Sequence, residues 1–237
     1  MSGKEFKNST PDKFRTFGRA KGRPLSAAQQ SLFAQLYPKI AVECGSMSAP
    51  LTGLEAYKEV WFEIGFGGAE HLIWQALNNP DVAVIGAEPF EPGVAKALSA
   101  VNENNIKNIR LQHGDARDVL SALPDGALDK VFVLFPDPWP KSKHHKRRLI
   151  NTGFITELYR VLKTGGEFRF GSDIIHYVDW TLTRVHSFTA ESGGGFHWTP
   201  QRNSDWRERS ADWPQTRYLA KALREGRTGH FFKFIKH

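Results

Sequence analysis

The stretch VWFEIGFGGAEHL, Val60 to Leu72, decides the fold. An apolar run stops at Ile64, Gly65, Gly67 and Gly68 follow, and a helix-forming run opens around Ala69. Strand, glycine turn, helix is how a βαβ unit begins, and glycine there lets backbone approach a ligand closely. One acid, Glu63, interrupts an otherwise apolar strand. An acid at that place suits the ammonium of a methionine-type ligand better than a pyrophosphate, which it would repel.

The same alternation continues in both directions. DVAVIGAE reads as a second buried strand and EPGVAKALSAVNENN as a helix with a proline near its start. IRLQHGDARD is a third strand and turn. LDKVFVLFPDP is a fourth strand, stopped by Pro136 and Pro138. FITELYRVLKTGG has the pattern of an amphipathic helix with a glycine cap. EFRFGSD is a fifth strand, IIHYVDWTLTRVHSF a helix and GHFFKFIK a closing strand. Upstream, Ser26 to Leu36 reads as a short helix. Strands and helices at this spacing predict an α/β fold, a parallel sheet with helices on both faces. Residues 1–24 are polar and basic, so the chain divides into a flexible N-terminal arm over 1–24 and one domain over 25–237. The arm is either a solvated tail or a segment that orders on nucleic acid.

Composition narrows the class. A chain of 237 residues, 40% hydrophobic and 24% charged, suits one large soluble domain. No apolar run is long enough to span a bilayer, and the N-terminus lacks the apolar stretch of a secretion signal. The single cysteine, Cys44, has no partner for a disulfide. These features predict a cytoplasmic protein. The net charge of +7 suits a polyanionic partner.

Ligands of such sheets bind beyond the carboxyl ends of the strands. Those ends here carry the glycine loop, Glu88, Asp115, Asp137 and Asp173. Glu88 follows Gly65 by about 20 residues, where an acid grips a ribose diol in nucleotide-binding folds. Asp115 either accepts from an adenine amino group or caps the next helix. The run FPDPWPKSKHHKRR, Phe135 to Arg148, sets one carboxylate and one indole beside a cationic cluster. Asp137 there suits contact with a base, and Lys141, Lys143, Lys146, Arg147 and Arg148 suit its phosphates. Trp139 either stacks on a ligand or packs in the core. His144 and His145 are adjacent and lack a third ligand, so no metal is expected. Trp198, Trp206 and Trp213, interleaved with arginines, form either an RNA surface or core.

EIGFGGAEHL, GAEPFEPGV, LFPDPWPKSKHHKRR and TRYLAKA together resemble the bacterial tRNA (guanine-N7)-methyltransferases, which use S-adenosylmethionine. RTFGRAKGRP is similar to that family's basic N-terminal region, so the likeness runs from about Phe14 to the C-terminus. The resemblance implies a Rossmann-like class I S-adenosylmethionine-dependent methyltransferase, with a mostly parallel seven-stranded sheet and helices on both faces. It implies methylation of N7 of a tRNA guanine, the one in the variable loop. Glu63, Gly65, Gly67, Glu88, Asp115 and Asp137 would form the cofactor pocket, with Asp137 also catalytic. Lys141, Asp173 and Thr216 would bind the substrate. Lys143, His144, Lys146, Arg147, Arg148 and, in the arm, Arg19 would contact the RNA. No membrane and no obligate protein partner is implied, and the state is monomer or homodimer. Two positions depart from the family pattern: Ala69 stands at its third glycine, and Leu219 at the glutamate of its Thr-x-x-Glu motif, which begins here at Thr216.

Two other readings stay open. An NAD-dependent oxidoreductase would use similar geometry, although the G-x-G-x-x-G pattern is not met. A non-catalytic RNA-binding protein on the same fold is the other, and Leu219 keeps it in play.

Overall fold

The structure is a computed structural model that describes residues 22–45, 49–198 and 200–237. Arg19 and most of the expected arm lie outside the described residues. β1 (Glu59–Ile64), β2 (Val82–Ala87), β3 (Ile109–Gln112), β4 (Leu128–Leu134), β5 (Leu162–Ser172), β6 (Phe196–His197) and β7 (His230–Lys236) form one sheet. Its order is β3-β2-β1-β4-β5-β7-β6. The first five run parallel, and β7 is antiparallel to both β5 and β6. The order reverses between β1 and β4, which opens a crevice at their carboxyl ends.

The helices follow from local signals. α1 (Ala27–Gln35) begins in a capping box, with Ser26 Oγ accepting from the Gln29 amide and the Gln29 side chain accepting from the Ser26 amide. Next come α2 (Tyr37–Ile40), α3 (Glu70–Asn78), α4 (Glu91–Glu103) and α5 (Ala116–Ala122). α6 (Thr152–Val161), α7 (Ile175–Glu191), α8 (Ser204–Arg207) and α9 (Arg217–Arg224) complete the set. Strand residues alternate between two apolar layers. Phe62 and Ile64 pack with Leu120, Phe154 and Tyr177 of α5, α6 and α7. Trp61 and Phe132 pack on the other face with Leu72 and Leu98 of α3 and α4. No helix among the described residues is long and apolar enough to cross a membrane.

The structure adds to or departs from the sequence reading at three places. The helix over FITELYRVLKTGG stops at Val161, and LKTGG belongs to β5. Leu162 pairs with Leu128 across the sheet, and Gly165 at φ 81 turns the chain inside the strand's span rather than capping the helix. The cationic run Ser142–Arg147 is a 3-10 turn. Trp213 is 1% exposed against Phe231 and belongs to the core, whereas Trp198 and Trp206 are half-buried and pack on Phe232 at its margin.

Candidate active site

A cavity of about 450 Å³ opens at the carboxyl ends of β1, β2 and β4, a volume suited to a nucleoside-sized ligand. Gly65, Gly67, Glu88, Asp115, Asp137, Trp139 and Tyr218 all reach its wall. Five of these were expected cofactor residues, drawn from four different strand ends.

The glycine loop has left-handed backbone at Gly65 (φ 72), Gly67 (φ 54) and Ala69 (φ 67). Ala69 is the residue before α3, where alanine holds a conformation that glycine adopts more easily. A Cβ on Gly67 would lie 2.8 Å from the Tyr218 ring, and one on Gly68 would lie 2.3 Å from the Arg217 guanidinium. The bare glycines therefore let the start of α9 settle on the loop. Arg217 also pairs with Glu70 at the first turn of α3.

Glu88 is 7% exposed. Its Oε2 accepts the Gly67 amide at 2.7 Å and its Oε1 accepts the Phe90 amide at 2.8 Å. Each oxygen keeps a further lone pair for a ligand hydroxyl. Burial pushes its carboxyl above the usual glutamate range, against the pull of those two amides; Asp137 and Glu63 add to the rise. Asp115 caps α5 by accepting from the Arg117 amide at 2.9 Å, and it also pairs with the Arg117 side chain. Asp115 is therefore the cap of the helix and at the same time part of the cavity wall.

Asp137 opens onto the cavity between Pro136 and Pro138. Partial loss of water raises its carboxyl above the ordinary aspartate range. Its turn is flanked by two bulky residues in the left-handed region, Phe135 at φ 51 and Trp139 at φ 42. Such backbone costs on the order of 1–3 kcal/mol per residue and persists only where surroundings impose it. Trp139 faces His144 edge-on at 5.9 Å, and the Arg147 guanidinium lies 5.0 Å from its ring. Lys141, Lys143 and Lys146 are exposed on the turn beyond. His145 turns away from His144, toward His176 and Trp180.

Several expected site residues are held elsewhere. Glu63 is 3% exposed and bonds to His71 Nδ1 at 2.7 Å, beneath the glycine loop and off the cavity wall. The acid in the strand thus has a buried imidazole for a partner, where a ligand ammonium was expected. Asp173 pairs with Arg227 at 2.6 Å. Arg148 is different: it lines the same cavity but is 2% exposed, so little of its side chain is open to the RNA phosphate expected of it. Thr216 caps α9 by accepting from the Leu219 amide at 3.2 Å. Leu219 itself is 5% exposed and packs in the same apolar layer as Trp213 and Phe231, so the next residue toward the cavity is Tyr218. Tyr218 was missed in the sequence. Its only signal was its place inside the Thr-x-x-Glu motif.

Comparison with known proteins places the chain in a family. Residues 57–230 match a family model described as "Putative methyltransferase". A tRNA (guanine-N(7)-)-methyltransferase of Rhodospirillum rubrum is 45% identical over 233 residues, 93% of this chain and 87% of the relative. One of Jannaschia sp. is 41% identical over 93% of each chain. One of Caulobacter vibrioides is 52% identical over 72% of this chain and 75% of the relative. Among solved structures, the 16S rRNA methyltransferase KamB superposes with a TM-score of 0.52 at 14% identity, covering 81% of this chain and 95% of that one. An antibiotic-related methyltransferase gives 0.53 at 16% identity, covering 79% and 92%. These two likenesses concern the fold, a class I methyltransferase sheet.

Proposed function

We propose, from the premise that this chain belongs to the tRNA (guanine-N(7)-)-methyltransferase family, that it transfers a methyl group from S-adenosylmethionine to N7 of a guanine in tRNA. The finer part of the proposal is that this guanine lies in the variable loop and that the protein works in the cytoplasm. The observation that carries the reading is the placement of Glu88 and Asp137 on one cavity, beside a glycine loop.

The residues fit the cofactor. Glu88, with both oxygens already oriented by backbone amides, suits a ribose diol. Gly65 and Gly67 let main chain approach it, and Asp115 suits an adenine amino group at the far wall. When bound, S-adenosylmethionine supplies an electrophilic sulfonium methyl. N7 of guanine carries an in-plane lone pair and no proton, so the protein needs no general base for the attack. Its task is to hold the base in line with the methyl. Positive charge develops on the guanine, and the Asp137 carboxylate stabilises it. Trp139, next to Asp137 on the wall, offers a stacking face worth roughly 1–3 kcal/mol per base. Lys146 lines the cavity and, like Lys141 and Lys143 before it in the chain, is exposed, so the three suit RNA phosphates.

Mass analysis of nucleosides after incubating protein, methyl donor and unmodified tRNA tests the reading. The expected product is 7-methylguanosine, and cleavage at the modified base then maps it to the variable loop. A protein that binds cofactor and tRNA yet forms no 7-methylguanosine would instead be an RNA-binding relative that has lost the reaction, as Leu219 allows.

A further inference from the structure

We propose that Arg148 is a positioning residue: its buried guanidinium holds the Pro136–Trp139 turn and so sets where the Asp137 carboxylate stands in the cavity. This rests on the reading of Asp137 as the group beside the reacting base.

The turn cannot hold itself. Pro136, Pro138 and Pro140 have no N–H to donate. Phe135 and Trp139 sit in the left-handed region, which bulky side chains avoid. On the entry side the Phe135 amide donates to the Gly171 carbonyl at 2.7 Å. On the exit side Arg148 Nε donates to the Pro138 carbonyl at 2.8 Å, the residue directly after Asp137.

The guanidinium is itself fixed. Nη2 lies 3.2 Å from His176 Nδ1 on α7. The charged plane sits over two rings of the same helix, 5.0 Å from Tyr177 and 4.6 Å from Trp180. Those rings are anchored in turn, with Trp180 Nε1 donating to the Ile150 carbonyl at 2.6 Å and Tyr177 Oη accepting the Ile150 amide at 3.3 Å. Position is thus relayed from α7 through one planar side chain to the carbonyl that follows Asp137. A burial of 2% exposure is costly for a cation, and Nη1 has no hydrogen-bond partner among the described residues. A surface phosphate contact would require neither.

The relay needs a fork, because Nε and Nη2 reach different acceptors. Lysine keeps the charge but presents a point, not a plane. Arg148→Lys is therefore expected to lower the single-turnover methylation rate, at saturating tRNA and cofactor, by about tenfold or more. Its tRNA affinity and salt slope should match those of the parent. If Arg148 were a phosphate contact, lysine would preserve the saturated rate, and Arg148→Met would flatten the salt slope by about 0.7–0.9; that pair of results overturns the proposal. Should Arg148→Lys melt too low to assay, His176→Ala at an exposed position carries the test. It should lower the saturated rate and leave the salt slope alone, and an unchanged rate sinks the relay. The carbon-13 titration of the Asp137 carboxyl needs no turnover. It should shift in either variant, and a superposable curve rejects the proposal. A parent that fails to methylate tRNA defeats the functional reading alone, since that titration still reports on the turn.

Discussion

The Glu88 carboxylate accepts the Gly67 amide at 2.7 Å, tying the end of β2 to the loop that follows β1. This bond crosses the strand pair next to the point where the sheet order reverses, and it fixes one wall of the cavity.

Glu88→Ala removes the acceptors for a ribose diol and leaves the Gly67 and Phe90 amides unpaired. S-adenosylhomocysteine affinity should fall by on the order of 1.5–3 kcal/mol, the worth of hydrogen bonds to a charged group. Calorimetry giving equal affinities for variant and parent would take Glu88 out of the site.

The pH dependence has a definite sign. Burial raises the Glu88 carboxyl above its unfolded value, so its charged form is the costly one in the folded, empty protein. Its contribution to stability is fully present below the unfolded pKa and is lost as pH rises through the raised folded pKa. A ribose diol needs the charged form as acceptor, so ligand affinity should move the other way. It should fall on acidification, beginning at a higher pH than for an ordinary glutamate. Titration of S-adenosylhomocysteine affinity against pH checks this; a flat profile down to the ordinary glutamate range contradicts it.

Glu63→Ala separates a ligand contact from a buried pair. The change strands His71 Nδ1 in a site that is 1% exposed. The melting temperature should drop by several degrees, reflecting roughly 1–3 kcal/mol for an unsatisfied buried group. Cofactor affinity in the folded variant should change little. Loss of affinity without loss of stability would restore Glu63 to the ammonium role expected from sequence.

Asp137→Asn keeps the turn and removes the charge. Single-turnover methylation with both substrates saturating should slow, by an amount equivalent to roughly 2.7–4 kcal/mol at most. Affinity for tRNA should hold. A rate within about twofold of the parent's leaves too little stabilisation for a catalytic carboxylate and makes Asp137 scaffold.

Lys143→Ala with Lys146→Ala removes two exposed cations from the basic turn. Each lost phosphate contact should flatten the salt dependence of tRNA binding by about 0.7–0.9, with cofactor affinity intact. Identical slopes would show that neither side chain meets a phosphate.

Six of the seven strands, the main helices between them and the strand ends that carry chemistry were legible in the sequence itself, whereas the short β6 and the helices α2, α8 and α9 were not. The legible parts rest on local rules. Buried strands are apolar runs, glycine marks a turn, and Glu88, Asp115 and Asp137 stand where those runs stop. The direction in which a side chain then points is a different matter, because its partner comes from far along the chain. Glu63, read from the sequence as a ligand group, has a buried imidazole for its partner because α3 set His71 against it. Arg148 was read with its cationic neighbours, yet α7 supplied the aromatic rings that draw it inward, 28 residues away at His176. Asp173 met Arg227 at a separation of 54 residues. In the Thr216 motif, the buried face of α9 took Leu219 into the core and left Tyr218 on the wall. Sequence reading determined which chemistry gathers at the sheet's edge, since period and punctuation are local. Tertiary packing alone decided which of those groups face the cavity, since burial is settled by contacts between distant segments.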